Sequence, residues 1–130
     1  MKILALLALL SLAGCQLFGS HNSTRDPVGL EATFRSDGAR VSLVLTNRTD
    51  RAVGYNLCLS PVENQQTGRR FFDPLIDCQA SLSLLQSKER AEMTLSFGAS
   101  DLPSGTYRAV TTVEAEGESR EIKSAPFAVR

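Results

Sequence analysis

The sequence contains a single histidine, no tryptophan and two methionines, and this scarcity excludes several kinds of chemistry. A Ser–His nucleophile pair requires a histidine in the folded domain, whereas His21 lies in a polar segment near the amino terminus. Zinc sites need several Cys or His ligands, and copper sites use clusters of His or Met. The sequence also has no glycine-rich phosphate loop. We therefore expect a protein that is not an enzyme and that uses no metal or cofactor.

The chain also lacks net charge, because 14 basic residues balance 14 acidic ones. Nucleic-acid-binding domains attract phosphates with a positive field, and a balanced chain offers none. We therefore expect no nucleic-acid partner. One acidic cluster, Glu114, Glu116 and Glu118 with Glu121 nearby, has the oxygen ligands of a weak cation site, but a solvated turn is the commoner role of such a group.

Only one long apolar run is present, and it lies at the amino terminus. A positively charged start precedes the mainly apolar residues 3–12, and the small residues Ala13 and Gly14 then precede Cys15. This order is typical of a secretory signal peptide. The run is about half the length of roughly 20 residues that a membrane-spanning helix needs. We therefore predict a signal peptide at residues 1–14.

The sequence Leu12-Ala13-Gly14-Cys15 resembles the lipobox of bacterial lipoproteins. In that family the cysteine is alkylated with diacylglycerol and the chain is cleaved just before it. The resemblance implies that Cys15 carries fatty acyl chains such as palmitate and anchors the protein to a membrane of the bacterial cell envelope, since two chains bind far more firmly than one. Gln16 replaces the Asp that retains enterobacterial lipoproteins at the inner membrane, which favours the outer membrane (periplasmic face or surface) where the organism has one. The alternative is a plain signal peptide with an incidental cysteine.

Residues 15–28 are predicted to form the lipidated cysteine and a flexible tether. Beyond Leu17 and Phe18 this segment is polar and contains Gly, Ser, Asn and Pro. As a random coil, the part after the cysteine would span roughly 20 Å. His21 is expected to be a solvated residue of this tether, and the folded domain is expected at residues 29–130.

In the folded part, apolar and polar residues alternate with a period of two, which is the pattern of half-buried β-strands. Turn sequences such as Ser36-Asp37-Gly38 separate the alternating runs. Six or seven short strands in about 100 residues predict an all-β protein, an antiparallel β-sandwich of about seven strands. The clearest runs begin at Leu30, Val41, Val53, Ala91 and Tyr107.

Three segments carry finer detail. The third run alternates through Val53–Leu59 and predicts one continuous strand, whereas Leu82–Leu85 fits either a short strand or a helical turn. In the last run, Ile122 and Phe127 lie on opposite phases. A bulge near Ala125-Pro126 would reconcile the two phases, because proline is tolerated at bulges and edges.

The segment Leu102–Tyr107 has the leucine, glycine and tyrosine spacing of a tyrosine corner. In that motif the tyrosine hydroxyl donates a hydrogen bond to the backbone a few residues upstream. The alternative is a tyrosine that merely faces the core. We predict the corner.

A resemblance to small bacterial immunoglobulin-like domains extends over Leu30–Arg130. It is carried by Val53–Cys58, Cys78, Gly105–Arg108 and the ending Phe127–Val129. The chain departs from antibody-type domains because it has no tryptophan and no cysteines in the expected strands B and F. A weaker similarity is to proteinase inhibitors of the BsuPI type, which are also β-sandwiches.

Cys58 and Cys78 remain as a pair once Cys15 is acylated. Such a pair in an exported chain predicts a disulfide, which closes a loop of about 20 residues and contributes roughly 3 kcal/mol. Cys58 falls on the phase opposite to Leu57. We therefore expect the bridge at an outer face or an edge and not across the core. A redox-active pair is the alternative, although the spacing is far from C-x-x-C.

Arg69, Arg70 and Phe71 form the candidate partner contact, since Arg and aromatic residues are enriched at interface hot spots. A buried Phe flanked by surface charge explains the same sequence.

Two functions remain open. We expect a non-catalytic envelope lipoprotein whose immunoglobulin-like module binds a protein or glycan or has a structural role. The alternative is a proteinase inhibitor that presents residues 61–74 as an extended loop. A rigid, exposed and disulfide-braced loop would favour the inhibitor, whereas a strand-paired segment would favour the module.

Overall fold

The computed structural model describes residues 27–74, 76–98 and 101–130. The predicted signal peptide, Cys15 and residues 16–26 of the predicted tether lie outside the described residues. Signal cleavage and acylation therefore stay predictions, as does the solvated position of His21.

The described residues form ten β-strands and one 3-10 helix, and every strand pairing among them is antiparallel. This confirms the predicted all-β class. In the part of the chain described, no helix is long and apolar enough to cross a membrane. The elements in order are β1 (Val28–Arg35), β2 (Arg40–Asn47), β3 (Val53–Tyr55), the 3-10 helix (Leu57–Leu59), β4 (Val62–Asn64), β5 (Arg70–Phe71), β6 (Ser83–Leu85), β7 (Arg90–Ser96), β8 (Gly105–Ala115), β9 (Glu118–Lys123) and β10 (Phe127–Val129).

These strands make two sheets that face each other. The smaller sheet has the order β1-β2-β7. The larger sheet is built around β8, which pairs with β3 and β4 along one side and with β9 and β10 along the other. β6 lies beyond β3, and β5 lies beyond β4. Because β1 of the smaller sheet contacts β8, β9 and β10, the inner faces of the two sheets enclose a shared core.

The core is built from the residues that alternate inward on both sheets. Val41, Leu43 and Leu45 of β2 are fully buried, and the tyrosine-corner residue Tyr107 lies opposite them within the same cluster. The Tyr107 hydroxyl donates to the backbone oxygen of Pro103 at 2.6 Å, which confirms the predicted corner. The other buried hydrophobic residues of this cluster are Val28, Leu30, Val53, Leu57, Val62, Leu85, Leu95, Phe97, Leu102, Ala109, Val113, Ile122 and Val129.

The predicted strand through Val53–Leu59 is wrong in its second half. β3 ends at Tyr55, and the chain turns into the 3-10 helix because the side-chain oxygen of Asn56 accepts from the Cys58 N–H at 3.1 Å. This local hydrogen bond competes with strand pairing. As a result Leu57 is buried, whereas Leu59 is 45% exposed and does not face the core.

The phase change in the last run is confirmed as a bulge. β9 pairs with β8 up to Lys123, and β10 resumes the pairing at Phe127 with the register displaced by one residue. Ser124 bridges the irregularity. Its N–H donates to the Ala109 oxygen, and its hydroxyl accepts from the Ala109 N–H, both at 2.9 Å.

The chain enters the domain at one end of the strands and leaves it at the other. Val28, the first residue of β1, lines the same cavity as Glu116 in the β8–β9 turn, and we call this the tether end. β10 runs in the same direction as β1, away from the tether end, and its Val129 lies opposite Gly105, the first residue of β8. Arg130 therefore follows at the far end, about one strand length away from the position at which the chain enters the domain.

Candidate functional site

The segment 61–74, the proposed inhibitory loop, contains two paired strands, β4 and β5, joined by a turn. β4 and β5 form a hairpin, and β4 also pairs with β8. Its turn is stabilised by Asn64, whose side-chain oxygen accepts from the N–H groups of Gln66 and Thr67 at 2.9 and 3.0 Å. Gly68 has a φ of +72°, a left-handed conformation that glycine adopts at little cost. Because β4 and β5 are paired within a sheet, this arrangement favours a binding module over an inhibitor.

Arg70 is engaged in a network on the outer face of the larger sheet. Its guanidinium donates to Glu63 at 2.8 Å and to both carboxylate oxygens of Glu121 at 2.8 and 3.1 Å. Lys123 also contacts Glu63, at 3.2 Å. The hydrogen bonds from Arg70 lower the pKa of the Glu63 and Glu121 carboxyls, and the two carboxylates raise the pKa of Arg70. A partner that binds Arg70 would first have to break this network.

Arg69 and Phe71 form a separate unit. The Arg69 guanidinium lies over the Phe71 ring, 4.8 Å from its centroid. Phe71 is half-buried and meets the Tyr107 ring edge-on at 5.9 Å. The three residues predicted as one partner contact therefore belong to two separate groups. Phe71 packs inward with Arg69 over its ring, whereas Arg70 forms ion pairs with Glu63 and Glu121.

Phe71 belongs to a row of rings that joins the two sheets. Tyr107 stacks on Phe127 at 6.3 Å, and Phe127 stacks on Phe34 of β1 at 6.5 Å. Offset ring pairs add about 0.5–1.5 kcal/mol beyond burial. We assign this row to packing, because its central ring, Tyr107, is fully buried.

The acidic cluster lies on the β8–β9 hairpin. Glu116 forms an ion pair with Arg51, Glu121 binds Arg70, and Ser119 donates to Glu114 at 3.1 Å. Among the described residues, no group of three or more His, Cys, Asp or Glu side chains is placed to hold a metal ion. The carboxylates of Glu114, Glu116 and Glu121 thus bind three separate partners.

A cavity of about 430 Å³ opens beside the same hairpin, at the tether end. Val28, Val53 and Val113 form its apolar floor, and the Arg51–Glu116 pair lies on its rim. The mixture of opposite charges on this rim singles out no class of ligand.

Cys58 and Cys78 form a disulfide with a Cα–Cα distance of 5.7 Å. The bridge joins the 3-10 helix to the segment that leads from β5 to β6. Asn56 reinforces this junction, because its side-chain amide donates to the oxygens of Gln79 and Ser81 at 2.7 and 3.0 Å. Both cysteines belong to connections of the larger sheet. The bridge thus lies at the edge of that sheet, as predicted.

Asn47 is an important residue whose role the sequence does not reveal. It is fully buried, and its side-chain amide donates to the backbone oxygens of Arg51, Leu85 and Gln86 at 2.7, 3.0 and 3.2 Å. Its side-chain oxygen accepts from both the N–H and the hydroxyl of Thr49. Asn47 thereby holds the end of β2 to the start of β3 and the end of β6.

No model of a known protein family matches the chain, and a search of curated proteins finds no match.

Proposed function

We propose that this protein is a lipid-anchored lipoprotein of the bacterial cell envelope. In this proposal its immunoglobulin-like sandwich is a non-catalytic module that binds a protein or glycan or has a structural role. The carrying observation is the Leu12-Ala13-Gly14-Cys15 lipobox, which a polar segment separates from a β-sandwich that begins at Val28. Acyl chains on Cys15 would hold the tether end near the membrane and leave the far end accessible.

The strand order supports the immunoglobulin-like part of this proposal. β3 and β4 lie along one side of β8 as two pieces of one interrupted strand, and β9 and β10 lie along the other side in the same way. β5 and β6 similarly share the outer edge. Counted in this way, seven strands form a three-stranded and a four-stranded sheet. Immunoglobulin-type sandwiches distribute their strands in a similar manner, with the C, F and G strands side by side.

Proteinase inhibition is the second candidate, and it is less well supported. Within residues 61–74, the unpaired residues that follow β4 are the turn 65–69 and the residues after Phe71. An inhibitor in this class would have to present that turn, or the residues after Phe71, to a protease. Inhibition of a panel of serine proteases by the purified domain, lost on substitution of Gln66 or Thr67, would favour this candidate.

The anchor is tested by labelling cells that express the full chain with radioactive palmitate. We expect the wild-type protein to incorporate label and to fractionate with membranes. Cys15→Ser should incorporate no label and accumulate as uncleaved precursor, because serine cannot form the thioether. A Cys58→Ser/Cys78→Ser double variant is the matched control and should be labelled normally. Label in the Cys15→Ser protein would refute the anchor.

A further inference from the structure

The cavity at the tether end is bounded by a loop whose backbone is held by side chains from a neighbouring segment. Residues 48–52, which we call the entry loop, connect β2 to β3. Lys88 donates to the backbone oxygen of Arg48 at 2.7 Å, and the Ser87 hydroxyl donates to that of Thr49 at 2.6 Å. This wall of the cavity is therefore preformed, and a preformed site loses little conformational entropy on binding.

The cavity combines an apolar floor with a rim of both charges. Val28, Val53 and Val113 form the floor, and Ala52 and Ala115 add short apolar walls. The volume of about 430 Å³ is within the range of ligand pockets, about 300–1,000 Å³. The rim holds two arginines and three carboxylates, so it is suited to an uncharged group and not to a strongly charged one. These rim residues are Asp50, Arg51, Glu116, Glu118 and Arg120.

The chain enters the domain directly beside this cavity. The Pro27 oxygen accepts from the Arg48 N–H of the entry loop at 2.7 Å, and the next residue, Val28, lies in the cavity floor. The predicted tether therefore ends at the cavity, and its residues are the nearest segment of the chain that could fill it.

The predicted tether has two large apolar side chains, Leu17 and Phe18. Residues 19–26, which follow them, are glycine or polar. Phe18 is ten residues before Val28, and a random coil of ten residues spans roughly 17 Å. A connection of this length allows Phe18 to return to the cavity, at an effective concentration of the order of millimolar.

We propose that Leu17 and Phe18 dock into the cavity and fold the tether back onto its own domain. Burial of the two side chains against the valine floor removes apolar surface from water, which drives the docking. The charges of the rim do not select this occupant. The attachment of the segment beside the cavity does.

Docking would also fix the position of the domain relative to the membrane. Leu17 is two residues from Cys15, so a docked tether brings the tether end against the lipid surface instead of leaving it roughly 20 Å away. This consequence rests on the proposed lipid anchor, whereas the docking itself requires no lipid. The bilayer is the competing environment for the same two side chains.

Phe18→Trp provides a reporter, because the chain has no tryptophan. The full chain with this change, isolated with its acyl groups, is placed in phosphatidylcholine vesicles with ordinary or brominated acyl chains. Bromine quenches the fluorescence of an indole ring that contacts it. We expect a blue-shifted emission that brominated lipid does not quench and that does not depend on protein concentration.

A second substitution tests whether the cavity holds the reporter. Ala52→Glu places a carboxylate on the cavity wall and should shift the emission to that of an exposed tryptophan. Thr33→Glu, on the exposed face of β1, is the matched control and should leave the emission unchanged. Both sites are exposed, so urea unfolding should show that both variants remain folded.

Hydrogen exchange measures the docking without a tryptophan. With the docked state populated to about nine-tenths, amides of the entry loop should exchange about tenfold more slowly than in Leu17→Ser/Phe18→Ser. Ser20→Ala/Asn22→Ala changes two polar tether residues instead and should exchange as the wild type does.

Three results would overturn the proposal. They are quenching by brominated lipid without a response to Ala52→Glu, an emission typical of exposed tryptophan, and equal exchange in wild type and Leu17→Ser/Phe18→Ser. A blue shift that grows with protein concentration would also overturn it, because the segment would then come from a second copy. An emission that responds to Ala52→Glu in a protein that takes no palmitate label would refute the anchor and support the docking.

Discussion

Tyr107 combines two roles in one side chain. Its ring contacts Phe71 and Phe127, and its hydroxyl donates to Pro103. Tyr107→Phe keeps the ring and removes the only donor, so we expect it to lower the free energy of unfolding by about 1–3 kcal/mol. Urea denaturation resolves such a loss in a domain of this size. Wild-type stability in the Phe variant would mean that the hydroxyl contributes nothing to the fold.

Asn47 should be far less tolerant of a small chemical change. Asn47→Asp replaces the amide that donates to three backbone oxygens with a carboxylate, which repels them in a fully buried position. We expect a loss of at least about 3 kcal/mol in the free energy of unfolding. Thermal and urea unfolding at neutral pH would measure it.

Asn64→Asp is the matched control for this substitution. The side-chain oxygen of Asn64 accepts from two turn N–H groups, and a carboxylate can accept from both. This variant should therefore stay within about 0.5 kcal/mol of wild type, because it keeps both hydrogen bonds. If Asn47→Asp and Asn64→Asp lowered the free energy of unfolding equally, the hydrogen bonds of Asn47 would not be what holds the end of β2 in place.

At the scale of strands, the Arg70 network joins β4, β5 and β9. Because Arg70 lowers the pKa of Glu63 and Glu121 from the ordinary value of 4.5, these carboxyls bind protons less readily in the folded state. Their contribution to stability is complete above about pH 4.5 and is lost as the pH falls through their lower folded-state pKa. Arg70→Gln should reduce this acid sensitivity.

The measurement is the midpoint of urea unfolding between pH 6 and pH 3, compared for wild type and Arg70→Gln. Arg69→Gln is the matched control, since Arg69 lies over Phe71 and is absent from the network. The difference in the midpoint of urea unfolding between Arg70→Gln and wild type should become smaller as the pH falls. A difference that stays constant across this range would contradict the proposed linkage.

The disulfide holds the segment between β5 and β6 to the 3-10 helix. Replacing Cys58 and Cys78 by Ala should lower the free energy of unfolding by roughly 3 kcal/mol, according to the loop-entropy model. Hydrogen exchange should accelerate at Ser96, because the segment that carries Asp73 would no longer be fixed over β7. Non-reducing peptide mapping should recover both cysteines in one linked peptide, and two free thiols in protein taken from the envelope would contradict the bridge.

The long strands and the bulge before β10 could be predicted from the sequence, whereas the 3-10 helix and β5 could not. β2 alternates between buried and less buried residues along its whole length, so its inward residues follow from the period of two. β8 follows the same period except at Val110, which is buried between two buried neighbours. The 3-10 helix instead depends on one capping hydrogen bond of Asn56. β5 has two residues, too few for any period to be visible.

The candidate site was only partly predictable for a related reason. Arg69, Arg70 and Phe71 are adjacent in sequence, but Arg70 pairs with Glu121, which is 51 residues away. The role of Asn47 is equally hidden in the sequence, because its partner Leu85 is 38 residues away. Such long-range hydrogen bonds depend on how the sheets are paired, and alternation along a single strand contains no information about them. Local motifs with a fixed geometry, such as the tyrosine corner, are the exception.

At the scale of the whole molecule, the opposite positions of Val28 and Arg130 determine how the domain would carry a mechanical load. A force that draws these two residues apart pulls β1 and β10 along their own axes in opposite directions. The hydrogen bonds that join β1 to β2 and β10 to β8 run across the strands. The force would therefore act on all of these hydrogen bonds at the same time, in shear, and would not break them one by one from the end of the strand. A domain connected in this way resists extension between its ends, so a load applied between Val28 and Arg130 would not unravel its first strand.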